Sequence, residues 1–282
     1  MEASAQHLLL AFGITLLAGL ATGIGSAIAY FARHTNLSFL AISLGFSGGV
    51  MLYVSFTEIL RKAETMLAAL HGERAAAWYT AGGFFAGLAL MALVDWLVPG
   101  ESNPHEPTPR GELDDYQAHR DARVPSDRLL RMGVFSALAI AVHNFPEGIA
   151  TFLATLDDPH LGAAIGIAVA IHNIPEGIAV SLPIFYATGN RRRAFGLSFL
   201  SGLSEPVGAA VGWLLLRAFF TGSVMGLTFA LVAGVMVYIS LDELLPTARE
   251  YGAGHQVLGG LLAGMAVMAL SLLLVSAGAR PS

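Results

Sequence analysis

The sequence predicts an all-α membrane protein with eight transmembrane helices, and three observations predict it. Only 12% of its 282 residues are charged while 55% are hydrophobic, whereas a soluble globular domain carries about a quarter charged residues. The mean hydropathy is +0.65. The apolar residues gather into eight runs of about 20 residues or more, each enough to cross a ~30 Å hydrocarbon core as helix. Helix is the expected conformation, because an isolated strand would leave backbone groups unpaired in lipid. The same figures exclude a disordered chain. With no cysteine, a disulfide-stapled secreted domain and a thiolate metal site are excluded too. A net charge of −5 offers nothing to a nucleic acid, whose partners are basic.

The runs are Leu8–Phe31, Leu37–Leu60, Trp78–Val98, Met132–Leu156, Leu161–Ala187, Ala194–Phe220, Val224–Pro246 and Gln256–Ala279. The first has no Lys or Arg in its flank Met1–His7 and is longer than a signal-peptide core, so it reads as a retained helix. The second and third carry Gly45, Gly48 and Gly49, and Gly82, Gly83 and Gly87, small residues that let membrane helices approach closely. Met51 reads as packing. Asp95 and Arg217, near segment ends, are expected to snorkel to the interface. Between the third and fourth runs lies the one long connection, residues 99–127, with Pro99, Pro104, Pro107, Pro109 and Pro125. It reads as a flexible, solvated linker despite His105, Glu106 and His119.

Placing both termini outside puts ten basic residues on the cytoplasmic side, including the triplet Arg191–Arg193, against five on the other. That is the bias the positive-inside rule asks for. The expected organisation is one transport domain: helices one to three over 1–98, a cytoplasmic loop over 99–127, helices four and five over 128–187, and helices six to eight over 188–282.

Ionisable groups at membrane depth are costly and mark function. The fourth run contains His143-Asn144-Phe145-Pro146-Glu147-Gly148, and the fifth repeats it 29 residues later as His172-Asn173-Ile174-Pro175-Glu176-Gly177. The sixth adds Glu205-Pro206. All three groups fall near the middle of their runs, hence near one depth. At about 100° per residue, His at i and Glu at i+4 lie within ~40° on one helix face, with Asn ~60° beyond. Pro146 and Pro175 remove donors and are expected to kink or open their helices. Gly148 and Gly177 permit close backbone approach.

Two His, two Asn and three Glu make a nitrogen and oxygen site without sulfur. That donor set suits zinc, ferrous iron, manganese or cobalt and disfavours cuprous ions. The imidazoles count against magnesium and calcium. Three carboxylates are far better tolerated around one or two divalent ions than bare. Glu58 near the outer end of the second run, and Asp242 and Glu243 near the inner end of the seventh, are weaker candidates for passing a cation in and out.

The paired blocks His143–Gly148 and His172–Gly177 resemble the signature of the ZIP (Zrt- and Irt-like) family of divalent-metal transporters. Ser55–Glu58, Ser204–Pro206 and Ser240–Pro246 resemble its bacterial, ZupT-like branch. The resemblance covers essentially the whole chain. It implies two inverted three-helix repeats around a central two-helix pair, a homodimer in the bacterial inner membrane, and uptake of zinc, or of iron and manganese, toward the cytoplasm. It implies metal ligation by His143, Asn144, Glu147, Asn173, Glu176 and Glu205. His172 stands where members of the family vary. The cytoplasmic loop lacks the histidine richness of many members, which counts against metal sensing there.

The expected activity is therefore alternating-access uptake of zinc, with iron, manganese, cobalt and cadmium as further cargo, no resident cofactor and no catalysis. Loading should weaken at low pH, because ligands must be deprotonated. A metal-selective channel with the same site is the alternative. An intramembrane metalloenzyme is disfavoured, since His-Asn-x-x-Glu lacks the paired histidines of His-Glu-x-x-His. A sensor that binds metal without moving it is the remaining class.

Overall fold

The computed structural model describes residues 5–31, 37–97, 126–216 and 221–278. All regular structure among them is helical. Helix α1 spans Ala5–Phe31. Helix α2, Leu37–Val54, passes through a π turn at Ser55–Ile59 into α3, Leu60–His71. Gly72, at φ 79°, turns the chain into α4, Glu73–Leu97. Then come α5 (Ser126–Asp157), α6 (Pro159–Thr188), α7 (Arg191–Gly202) and α8 (Ser204–Leu216). Helix α9, Gly222–Ile239, passes through a second π turn at Ser240–Leu244 into α10, Leu245–Tyr251, and α11 spans Gly254–Gly278. The expected loop over 99–127 lies outside the described residues, except that Ser126 and Asp127 already belong to α5.

Local chemistry explains the joints around the candidate site. The Asp158 side chain caps α6 by accepting from the N–H groups of His160 and Leu161, with Pro159 in the first turn. Gly189, at φ 61°, ends that helix in the left-handed region. Asn190 caps α7 by accepting from the N–H of Arg193. The sixth expected segment is broken in two. Pro206 lacks the N–H that would reach the Gly202 carbonyl, so the chain turns at Leu203 and restarts as α8. Glu205 thereby falls in the first turn of α8, where a helix N-terminus favours negative charge.

Among the described residues, seven helical stretches are long and apolar enough to cross a membrane: Ala5–Phe31, Ser38–His71, Glu73–Leu97, Pro159–Leu182, Arg191–Leu215, Gly222–Arg249 and Gly254–Leu273. The fourth expected segment, Met132–Leu156, is helical within α5 but is not one of the seven. The second and seventh segments outrun their expected ends at Leu60 and Pro246. Helix α3 carries on to His71, and α10 accommodates Pro246 in its first turn and continues to Tyr251.

The helices pack as two groups. In the first, α1 lies along α6, α6 along α5 and α5 along α8, with α7 beside α1 and α6. In the second, α2 lies along α11, α9 along α4, and α3 against both α4 and α9. The groups meet where α2 and α11 touch α6 and where α9 touches α5. Helices α4 and α11 expose apolar side chains such as Trp78, Phe85, Trp96, Leu262 and Leu270, as helices facing lipid do.

Candidate metal centre

Three helices of the first group carry the candidate ligands: α5 holds Asn144 and Glu147, α6 holds His172, Asn173 and Glu176, and α8 holds Glu205. All six side chains are buried. Glycine brings the helices close enough for this. A Cβ on Gly148 would overlap the carbonyl oxygen of Glu205, and one on Gly177 would overlap that of Thr22. Both motif helices run on through Pro146 and Pro175 in the helical state, each proline leaving one helix hydrogen bond unmade. The side chain of His143 lies outside the described residues; its backbone continues α5.

The contacts tie the helices together at one level. Nδ1 of His172 lies 3.1 Å from the Ala168 carbonyl. A carbonyl only accepts, so that nitrogen carries the proton and Nε2 carries the lone pair of the neutral ring. Nε2 faces Oε1 of Glu147 at 3.0 Å. Two such electron-rich atoms need a proton or a cation between them. Nδ2 of Asn173 donates to the Ala18 carbonyl at 2.9 Å and also to Oε1 of Glu205. Nδ2 of Asn144 points to the Ser201 carbonyl at 3.4 Å. With both amide nitrogens turned to acceptors, the amide oxygens face the other way. Oδ1 of Asn144, Oδ1 of Asn173 and Oε2 of Glu205 are buried with no hydrogen-bond partner among the described residues.

Electrostatically the centre is acidic. Glu147 and Glu176 are the charged neighbours of Glu205. Three bare carboxylates in a water-excluded interior are costly, and a divalent cation among them offsets that cost. Among the described residues no three His, Asp or Glu groups already close on a single point. The contacts are instead pairs, Glu147 with His172 and Asn173 with Glu205. The seven expected ligands therefore stand, among the described residues, as linked pairs on three helices rather than as one closed set, and the His143 side chain lies outside those residues.

The weaker candidates separate. Glu58 lies in the first π turn and pairs with Arg61 at 3.3 Å. Asp242 and Glu243 lie in the second. Glu243 is buried, whereas Asp242 shares the Tyr238 hydroxyl with Asp95 of α4. Asp95 therefore does not snorkel alone; it is held by a neighbouring helix. The two π turns have matching sequences, Ser55-x-x-Glu58-Ile59-Leu60 and Ser240-x-x-Glu243-Leu244-Leu245, and π turns recur at functional sites. Comparing the second segment with the seventh would have revealed that match in the sequence.

Two further contacts join the two groups. Lys62 of α3 forms an ion pair with Asp157 at the end of α5. Ser47 of α2 donates to Oε1 of Glu176 at 3.2 Å. Sequence reasoning passed over both. Ser47 carried a signal: it is the one hydroxyl in the heptad-spaced row Leu40, Leu44, Ser47, Met51 and Val54. Lys62 and Asp157 carried none, being ordinary charges at segment ends.

Residues 98–272 match the family described as ZIP Zinc transporter. A zinc transporter ZupT from Nitratidesulfovibrio vulgaris is 60% identical over 270 residues, covering 95% of this chain and 98% of the relative. Those from Lysinibacillus sphaericus and Clostridium perfringens are 57% and 54% identical over 269 and 276 residues. They too align with 95% of this chain, and with 98% and 97% of their own lengths.

Proposed function

The chain belongs to the ZIP zinc transporter family, a family of membrane transporters rather than enzymes, and from that premise we propose that it takes zinc into the cytoplasm through the centre on α5, α6 and α8. Ferrous iron, manganese, cobalt and cadmium suit the same donors and are further cargo. The ion is held by Glu147, His172, Asn144, Asn173, Glu176 and Glu205, with His143 from the adjoining turn of α5.

The observation that carries this reading is the pairing of Nε2 of His172 with Oε1 of Glu147 beside three buried oxygens that lack donors. A divalent ion taken up among these groups would give the imidazole nitrogen, the carboxylates and the amide oxygens a common partner, which a single proton does not. The amide hydrogen bonds of Asn144 and Asn173 orient the ligand oxygens, as outer hydrogen bonds do at metal sites generally.

Alternating access follows from the two helix groups. The first group carries every proposed ligand, and the second is the frame against which it moves. Repeats around a midplane site are the usual ingredients of such motion. The matched π turns in the second and seventh segments support an inverted repeat of α1–α4 and α7–α11 around the central pair α5 and α6. In this arrangement α5 is the eighth span, both termini are outside, and the 99–127 loop is cytoplasmic. The Lys62–Asp157 pair ties the two groups at the outer rim, beside Glu58 at the way in, and Glu243 lies on the way out. The protein acts as a homodimer in the bacterial inner membrane.

The test is zinc influx into sealed vesicles holding the purified chain, with iron, manganese, cobalt and cadmium as competitors. Zinc influx above that of empty vesicles, reduced by at least one competitor, is expected. Zinc bound by the protein but never delivered inside would overturn transport in favour of a sensor.

A further inference from the structure

We infer that Ser47 is a positioning residue for metal binding: its hydroxyl, from the second helix group, holds the carboxylate of Glu176 in the first. The inference rests on the reading that Glu176 binds metal, and goes beyond it by assigning a part of the site to the opposite group.

Ser47 is fully buried on α2. Its hydroxyl has one hydrogen to give. Oε1 of Glu176 lies at 3.2 Å and the His172 carbonyl at 3.5 Å. The second distance is at the limit for a hydrogen bond, and the His172 carbonyl already serves the α6 backbone, so the hydrogen goes to the carboxylate. The surroundings make this contact selective. Leu40, Leu44, Met51 and Val54, the other members of the row, are all buried. One polar group in an otherwise apolar heptad row fixes the register between two packed helices. Here the partner of that group is a proposed metal ligand, so register and ligand orientation are set by the same bond.

The chemistry gives Ser47 its role. A donor on one carboxylate oxygen restricts the rotation of Glu176, the proposed ligand. Losing an outer-shell partner of this type costs metal affinity by about 10- to 100-fold. A helix sliding between the two groups carries Glu176 away from Ser47, so the tightest binding belongs to the arrangement in which the two meet.

The experiment compares wild type, Ser47→Ala, Ser47→Thr and Glu176→Ala. Zinc is titrated onto each purified full-length chain in detergent, and zinc uptake is then followed in vesicles. Alanine removes one oxygen and favours helix, so the variant keeps its fold, which thermal melting verifies. We expect Ser47→Ala to bind zinc at least tenfold more weakly and to raise KM by a similar factor, while its maximal rate is kept. Ser47→Thr, which retains the hydroxyl, should recover most of the affinity. A folded Ser47→Ala chain with wild-type affinity and KM would overturn the inference, as would a folded Ser47→Thr chain as weak as the alanine variant. Glu176→Ala separates the two levels. If it loses zinc while Ser47→Ala does not, the Ser47 assignment alone falls. If it binds zinc as wild type does, the site reading falls and the inference with it.

Discussion

Nε2 of His172 and Oε1 of Glu147 lie 3.0 Å apart on two different helices, each side chain buried. The backbone contact at Nδ1 fixes which nitrogen carries the lone pair. The proposed site makes His172 a metal ligand through that lone pair. His172→Ala should raise the zinc concentration for half-maximal uptake by about tenfold or more, since a direct ligand is worth at least what an outer-shell partner is. Uptake kinetics in vesicles check this, and an unchanged half-maximal concentration would remove His172 from the site.

Asn173 serves two acceptors with one amide nitrogen, the Ala18 carbonyl and the Glu205 carboxylate. Asn173→Ala leaves both without that donor and should lower stability by about 1–3 kcal/mol, the usual cost of an orphaned buried acceptor. Asn173→Asp keeps an oxygen for the metal, loses the donor and adds a fourth carboxylate. It should be the less stable of the two without zinc and should gain more from added zinc. Thermal melts of both variants, with and without zinc, test that order.

Gly148 and Gly177 lie under backbone carbonyls of neighbouring helices, where a Cβ has no room. The obstacle is backbone rather than a flexible side chain, so the helices must separate. Gly148→Ala and Gly177→Ala should each destabilise the folded protein by about 1–3 kcal/mol or more and reduce zinc binding along with it. Gly82→Ala, where nothing lies within 4 Å of the added carbon, should change neither. Melting temperatures in detergent measure the contrast.

The Lys62–Asp157 pair joins α3 to the end of α5 with both side chains partly buried. A pair of this exposure is worth about 1 kcal/mol or less. Under the proposed alternating access, that is enough to shift the populations of the two states several-fold. Lys62→Glu or Asp157→Lys alone places like charges together and should alter the uptake rate by about that factor. The double exchange, Lys62→Glu with Asp157→Lys, should return it toward wild type. Failure of the double exchange to compensate would show that the pair plays no part in the cycle.

The helical, membrane-spanning class and the candidate residues on α5, α6 and α8 were legible because both rest on composition and strong local pattern. Eight apolar runs announce helices, and a six-residue motif containing His, Asn and Glu, repeated in two of them, announces a site. What stayed hidden depends on tertiary contact. The break at Leu203 needed the consequence of Pro206 for the Gly202 carbonyl to be followed through, although the proline was in plain view. The ends of the second and seventh segments were misjudged because the backbone stays helical through the π turn at Glu58 into α3, and through the second π turn into α10, whose first turn accommodates Pro246. Asp95 looked like an interfacial charge because its partner, Tyr238, lies more than a hundred residues away in sequence. Ser47 is a common residue in a membrane helix, and only its placement opposite Glu176 gives it meaning.

The central claim is that the buried carboxylates on α5 and α6 exist to hold the transported ion. The most direct measurement is zinc influx into sealed vesicles containing the Glu147→Ala, Glu176→Ala double variant, beside wild type reconstituted to the same density and shown to be folded by its melt. Influx no greater than in empty vesicles is the predicted result. Influx at the wild-type rate would contradict the assignment and place the passage of zinc elsewhere in the protein.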